Sequence, residues 1–343
     1  MNMLKKKSCV ALCVLTLAIA SVYGAPLAYT PSEVSITTLS SSEDYEPFGG
    51  LMKDGSTLYF GNYDKIQTYD LTTGDVSTFA EIPRNADTKA IGKAGENIYI
   101  ARDTSYWEPY PSILSVVSSS GYTDVLADTA VVTYAIFDAA VYDDNYYFAA
   151  GLGESGKLVG TNIYRFDPDN PNNPFLVAEI GGLSGGLAFD NLGNLYYASQ
   201  NDGEGILCFD AAAVLVGGLT AADGVSVADF AAGHIGFLAN GAFVAETGQN
   251  LAVYDLAAGV KLDDIAFTTG YEYMGKFVVG EDDTIYILSS DWSYMSDSIS
   301  SLYAITLPTP GTTPVPEPTS ALLIIPGLAA IWFSRRKFKF SRS

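Results

Sequence analysis

The sequence predicts an all-β fold, a six-bladed β-propeller of four-stranded blades, and three observations predict it. A tight turn followed by an aromatic-rich strand recurs six times along the body of the chain. Each copy is followed by a second strand, most of which end in aromatic-Asp. No segment has helical periodicity of the length a βαβ unit needs. Repeats of about 40–50 residues built from short strands and Gly/Asn/Asp turns are the blades of a propeller.

The six turns with their strands read in order. Gly55-Ser56-Thr57-Leu58-Tyr59-Phe60 comes first, then Gly95-Glu96-Asn97-Ile98-Tyr99-Ile100 and Asp144-Asn145-Tyr146-Tyr147-Phe148. Gly193-Asn194-Leu195-Tyr196-Tyr197, Asn240-Gly241-Ala242-Phe243-Val244-Ala245 and Asp283-Thr284-Ile285-Tyr286-Ile287 complete the set. From Leu58 to Ile285 the anchors Leu58, Ile98, Tyr146, Leu195, Phe243 and Ile285 are spaced by 40, 48, 49, 48 and 42 residues.

The second strands are residues 66–70, 163–167, 206–210 and 251–255, with looser versions at 113–117 and 302–305. An apolar strand precedes each turn, as at 136–142 and 187–190, and a fourth follows most second strands, as at 76–82 and 175–180. Only residues 210–219, rich in Ala and Val, have the composition for a turn of helix. Residues 35–40 precede the first blade and are expected to supply the outer strand of the sixth, closing the ring and removing exposed sheet edges.

The two ends are signals rather than fold. Residues 1–24 carry Lys5-Lys6-Lys7, an apolar core at 10–20, and small residues at Val22 and Gly24, the pattern of a signal peptide cut after Gly24. At the other end, residues 308–314 form a Pro/Thr linker, expected to be extended. Beyond it lie Pro316-Glu317-Pro318, an apolar run of 15 residues at 319–333, and Arg335-Arg336-Lys337. That run is short against the ~20 residues of a comfortable membrane span.

In order and composition, residues 315–343 resemble the PEP-CTERM sorting tail handled by exosortase-type transpeptidases. The resemblance implies a transient inner-membrane anchor through the C-terminal helix, an exosortase-type processing enzyme as partner, and delivery to the cell surface or exopolysaccharide matrix. The repeating body, residues 29–307, is similar to the broad NHL-type and gluconolactonase-like group of six-bladed propellers. In the lactonase-like members a metal is held near the axis by carboxylates and Asn, positions that cannot be matched in this sequence.

Between the signals, residues 29–313 hold 10 Lys and Arg against 38 Asp and Glu, a net charge of −28. Such a domain repels polyanions, so nucleic acid is excluded as a partner. Cys9 and Cys13 leave with the signal peptide and Cys208 stays alone, which rules out an internal disulfide in the exported domain. Cys208 reads as a small buried strand residue.

In a propeller the loops joining second to third strands, and those joining one blade to the next, share a face. Pooled there, Tyr63, Tyr106, Trp107, Tyr110, Tyr273, Trp292 and Tyr294 form an aromatic platform beside Asp, Asn and Gln, the chemistry of a sugar-binding surface. Residues 151–161 read as one of these loops. Glu46, Asp87, Glu246 and Glu272 are the acidic candidates for a Ca²⁺ site near the axis, though no calcium-loop motif supports one. Asp143-Asp144 and Asp282-Asp283 fall on the opposite face and read as turn residues.

Catalysis looks poorly supplied. His234 is the single histidine, and it reads as a structural residue. The function expected is a non-enzymatic, surface-sorted propeller that binds exopolysaccharide or surface proteins, with no cofactor. The alternative is a Ca²⁺-dependent lactonase-like or glycan-cleaving hydrolase on the same face.

Overall fold

A computed structural model describes residues 35–42, 48–62, 64–82, 88–103, 112–126, 135–154, 157–182, 185–199, 205–248, 250–266, 272–291 and 300–307. Of these, residues 35–36, 41–42, 48, 103, 157, 266, 272–274 and 290–291 are described by backbone alone. The described residues form six sheets.

The first strand, β1 (Ser35–Ser42), pairs antiparallel with the third strand of the last blade, as the sequence predicts. Blade one is β2 (Phe48–Asp54), β3 (Thr57–Asn62), β4 (Lys65–Asp70) and β5 (Val76–Glu81). Blade two is β6 (Thr88–Ala94), β7 (Asn97–Asp103), β8 (Ser112–Ser118) and β9 (Gly121–Leu126). Blade three is β10 (Ile136–Tyr142), β11 (Asn145–Glu154), β12 (Lys157–Arg165) and β13 (Phe175–Ile180). Blade four is β14 (Leu187–Phe189), β15 (Leu195–Ala198) and β16 (Ile206–Phe209), with its outer strand β18 at Val225–Ala228. Blade five is β19 (Ile235–Phe237), β20 (Phe243–Glu246), β21 (Asn250–Asp255) and β22 (Val260–Ala266). Blade six is β23 (Glu272–Val279), β24 (Ile285–Asp291) and β25 (Ser300–Thr306), completed by β1.

Each blade's first strand is an end strand of its sheet. These six inner strands touch in the cyclic order β2, β6, β10, β14, β19, β23 and back to β2, so the ring is closed around an axis.

The paired aromatics explain why the blades stack. Successive strand residues point to opposite sheet faces. In β11, Tyr146 therefore packs into the cluster shared with blade two, beside Tyr99, while Tyr147 packs toward blade four beside Phe189. Further clusters join blades one and two, four and five, and six and one. Burying each Phe, Tyr, Leu or Ile contributes about 1.5–3 kcal/mol, so each of these five interfaces is an apolar seam.

Three expectations change. Residues 151–161 are not a loop: β11 runs on to Glu154 and β12 begins at Lys157, an extended hairpin in which Gly151 pairs with Thr161. Blade three carries a fifth strand, the two-residue β17 (Leu219–Thr220), parallel to β13. It is delivered by the segment between β16 and β18, which begins with a short helix α1 (Ala211–Val216) capped by the Asp210 side chain on Ala212 N–H. Cys208 is half-buried rather than buried, opposite Tyr196. The acidic turns behave as read, with Asp143, Asp144 and Asp283 all at positive φ.

Among the described residues no helix is long and apolar enough to cross a membrane. The 319–333 run, the linker and the signal peptide lie outside them.

Candidate functional site at the propeller axis

The axis holds a charged cluster that begins with irregularities in the inner strands. β10 shifts register against β11 between Ile136 and Asp138, and β23 shifts against β24 between Met274 and Phe277. A bulge re-aims side chains, and these two bring Asp138 and Lys276 together across the axis. Asp138 is 0 % exposed and Lys276 is 9 % exposed.

The Asp138 carboxylate accepts three hydrogen bonds. Oδ1 accepts from the Lys276 ammonium and from Ala139 N–H at 2.8 Å, and Oδ2 accepts from Leu187 N–H at 3.0 Å. Lys276 Nζ donates a second bond, 3.4 Å long, to the Ala139 carbonyl. One side chain thus ties together blades three, four and six. Burial alone would raise the Asp138 carboxyl, but the Lys276 charge, with the neighbouring His234, outweighs it and holds the group at about 2.

His234 approaches from the fifth blade, just before β19. Its Nδ1 lies 3.5 Å from Asp138 Oδ2 and has no hydrogen-bond partner, so the ring is an electrostatic neighbour of the carboxylate, too distant for a good hydrogen bond. Its side chain keeps 19 % of its surface exposed. Glu246 sits across the ladder from it. Glu246 N–H donates to the His234 carbonyl at 2.8 Å, next to the Ile235–Ala245 pair. Burial pushes the Glu246 carboxyl up, against the opposing pull of the His234 ring and of the peptide N–H groups of Gly248, His234 and Gly233.

The cluster therefore pairs a carboxylate held ionised with one held toward its neutral form, on either side of the chain's single imidazole. Such a contrast suits proton transfer as well as it suits a strut. His234, read from the sequence as a structural residue, has a buried Nδ1 that makes no hydrogen bond and faces the Asp138 carboxylate. Asp138 and Lys276 were missed. The signal for both was a lone charge inside an apolar inner strand, Ile136-Phe137-Asp138-Ala139 and Gly275-Lys276-Phe277.

Of the aromatic platform, Tyr63, Tyr106, Trp107, Tyr110, Trp292 and Tyr294 lie outside the described residues, and Tyr273 is placed only as backbone in β23. Glu46 and Asp87 also lie outside them, and Glu272 is backbone alone at the start of β23. Glu246 offers only a small share of the roughly six to eight oxygens that Ca²⁺ takes. Among the described residues no group of three or more His, Cys, Asp or Glu is arranged to hold a metal.

No protein-family model matches this chain, and no curated protein does. Solved structures do. A luciferin-regenerating enzyme superposes with a TM-score of 0.59 at 14% identity, covering 80% of this chain and 95% of that one. The PQQ-bound aldose sugar dehydrogenase from Streptomyces coelicolor gives 0.52 at 16% identity, over 80% of this chain and 99% of that one. Virginiamycin B lyase from Staphylococcus aureus gives 0.51 at 10% identity, over 80% and 99%. The likeness is one of fold. The closed ring and the comparisons agree on a propeller, and the chemistry has to be argued from this chain's own residues.

Proposed function

We propose that the protein is an exported, surface- or matrix-sorted β-propeller that binds exopolysaccharide or a surface partner through the face carrying its interblade loops. One observation carries the reading. The axial carboxylate accepts from Lys276 and two peptide N–H groups, so it braces the ring, and a polymer too large for the axis is left to the loops around it. Trp107 belongs to the connection between β7 and β8, and Trp292 to that between β24 and β25. Both connections leave the ends of second strands, which share a face. The Pro316-Glu317-Pro318 tail supplies the address, with an exosortase-type enzyme as processing partner.

Calorimetry of the purified full chain against the producing cell's exopolysaccharide tests the binding. Trp107→Ala and Trp292→Ala are each expected to weaken it roughly tenfold, the equivalent of about 1.4 kcal/mol. Unchanged affinity in both variants removes the aromatic platform. Replacing Pro316, Glu317 and Pro318 with Ala should leave the chain in the inner-membrane fraction, and normal release would sink the sorting reading.

A second reading is a hydrolase acting at the axis mouth, favoured by the burial-raised Glu246 carboxyl beside His234. Lactone and oligosaccharide panels with Ca²⁺ present test it. Turnover lost in both His234→Gln and Glu246→Gln would support it, and no turnover by the unmodified chain counts against it.

A further inference from the structure

The Asp138–Lys276 pair does more than brace the ring: it divides the axis. On one side stands His234, ahead of β19. On the other lies a cavity of about 620 Å³ lined by the C-terminal halves of β2, β6, β10 and β23 and by the whole of the short β14 and β19. These strands run toward the turns that join first to second strands, so the cavity opens on the face opposite the interblade loops. Lys276 and Ala139 form its inner end, and Lys53, Asp54, Lys93 and Asp144 stand toward its mouth.

Two features mark this well as a place for a polar ligand. Its wall is made of inner strands that are end strands of their sheets, so peptide N–H and C=O groups on their free edges are available to hydroxyls. Its charge is also out of keeping with the domain. Three of the ten cations between residues 29 and 313 line it, Lys53, Lys93 and Lys276, against two acids, Asp54 and Asp144, in a domain of net charge −28. Among the described residues Lys276 gives two of its three N–H donors, to Asp138 and to the Ala139 carbonyl, and it lines the cavity. A second anion beside Asp138 would be repelled, so the floor suits a neutral hydroxyl oxygen. At the mouth Lys93 is engaged by Asp54 at 2.7 Å, and Lys53 lines the same rim.

We propose that this axial well binds a small sugar acid, with its ring hydroxyls on the strand edges and Lys276, and its carboxylate at the mouth between Lys53 and Lys93. The volume matches that of sites for molecules of this size, commonly ~300–1,000 Å³. The site is separate from the loop face and does not depend on the aromatic platform.

Titration of the purified full chain with glucuronate, glucose and inorganic phosphate tests it. Glucuronate is expected to bind at one site and glucose at least tenfold more weakly, with phosphate giving no saturable heat. The double variant Lys53→Met, Lys93→Met changes only partly exposed side chains. It should lose at least tenfold in glucuronate affinity while melting like the unmodified chain, and Trp107→Ala should leave that affinity unchanged. Equal binding of glucose, equal binding of phosphate, no glucuronate binding, or indifference to the lysine variant would each overturn the proposal. A loss on Trp107→Ala would move the ligand to the loop face.

Discussion

Asp138 shows what one misplaced-looking residue does. A carboxylate inside an apolar strand costs free energy unless it is paired, and here four neighbours from four blades converge on it. Removing one partner of a buried pair costs about 3–5 kcal/mol, whereas replacing both by apolar groups is often neutral or stabilising. Asp138→Asn and Lys276→Met are therefore expected to lose about 3–5 kcal/mol each in denaturant unfolding. The double variant Asp138→Leu, Lys276→Met should recover most of that loss, and additive losses would refute the pairing. The Asp138 carboxyl is depressed on folding, so its contribution is complete above the ordinary value of 3.8 and is lost as pH falls toward about 2. For Glu246 the sign reverses. Its carboxyl is raised by burial, so ionisation opposes folding at neutral pH. Glu246→Gln should raise the melting midpoint at pH 7 by about 1–3 °C, on the usual scale for a domain this large. A lower midpoint would show that the charge is wanted.

At the scale of elements, the strands that could be read were those whose signal is local. The turn-and-aromatic unit announces itself because a positive φ at the turn and a buried run of aromatic and apolar residues on the strand are both requirements of short range. The extended hairpin at 151–161 was hidden because its glycines resemble a loop. In the structure Gly151 instead packs against Phe137 and Leu158, which leave no room for a side chain. β17 was hidden for a different reason: two residues with no periodicity become a strand only because the free edge of β13 accepts them. Gly49 makes a similar point between blades, since a Cβ there would run into the Thr88 carbonyl of the next inner strand. Gly49→Ala is expected to cost about 1–3 kcal/mol by overpacking, read as a lower denaturation midpoint at unchanged slope. Deleting residues 35–42 should cost far more, because it strips the outer strand from blade six and reopens the ring. Retention of a single cooperative melt near the original midpoint would contradict closure by β1.

Across the whole molecule, two features set behaviour: a ring with no open seam and a charge of −28 over residues 29–313. Self-repulsion of this size opposes the compact state and is screened within about 8 Å at physiological salt. Raising sodium chloride from about 0.02 to 0.5 M, which shortens the screening length severalfold, should therefore raise the melting midpoint. A salt-independent midpoint would mean that the surface acids are already balanced locally.

Read alone, the residues determined the repeat, the blade number, the closing strand and the likeness of the two ends to export and sorting signals. All of these are written in spacing, turn chemistry and composition over short distances. The tertiary structure decided the axis. Asp138 and Lys276 are 138 residues apart and meet only because the blades close into a ring. No pattern along the chain records that meeting, since a ring brings together positions whose separation follows from six turns of the fold.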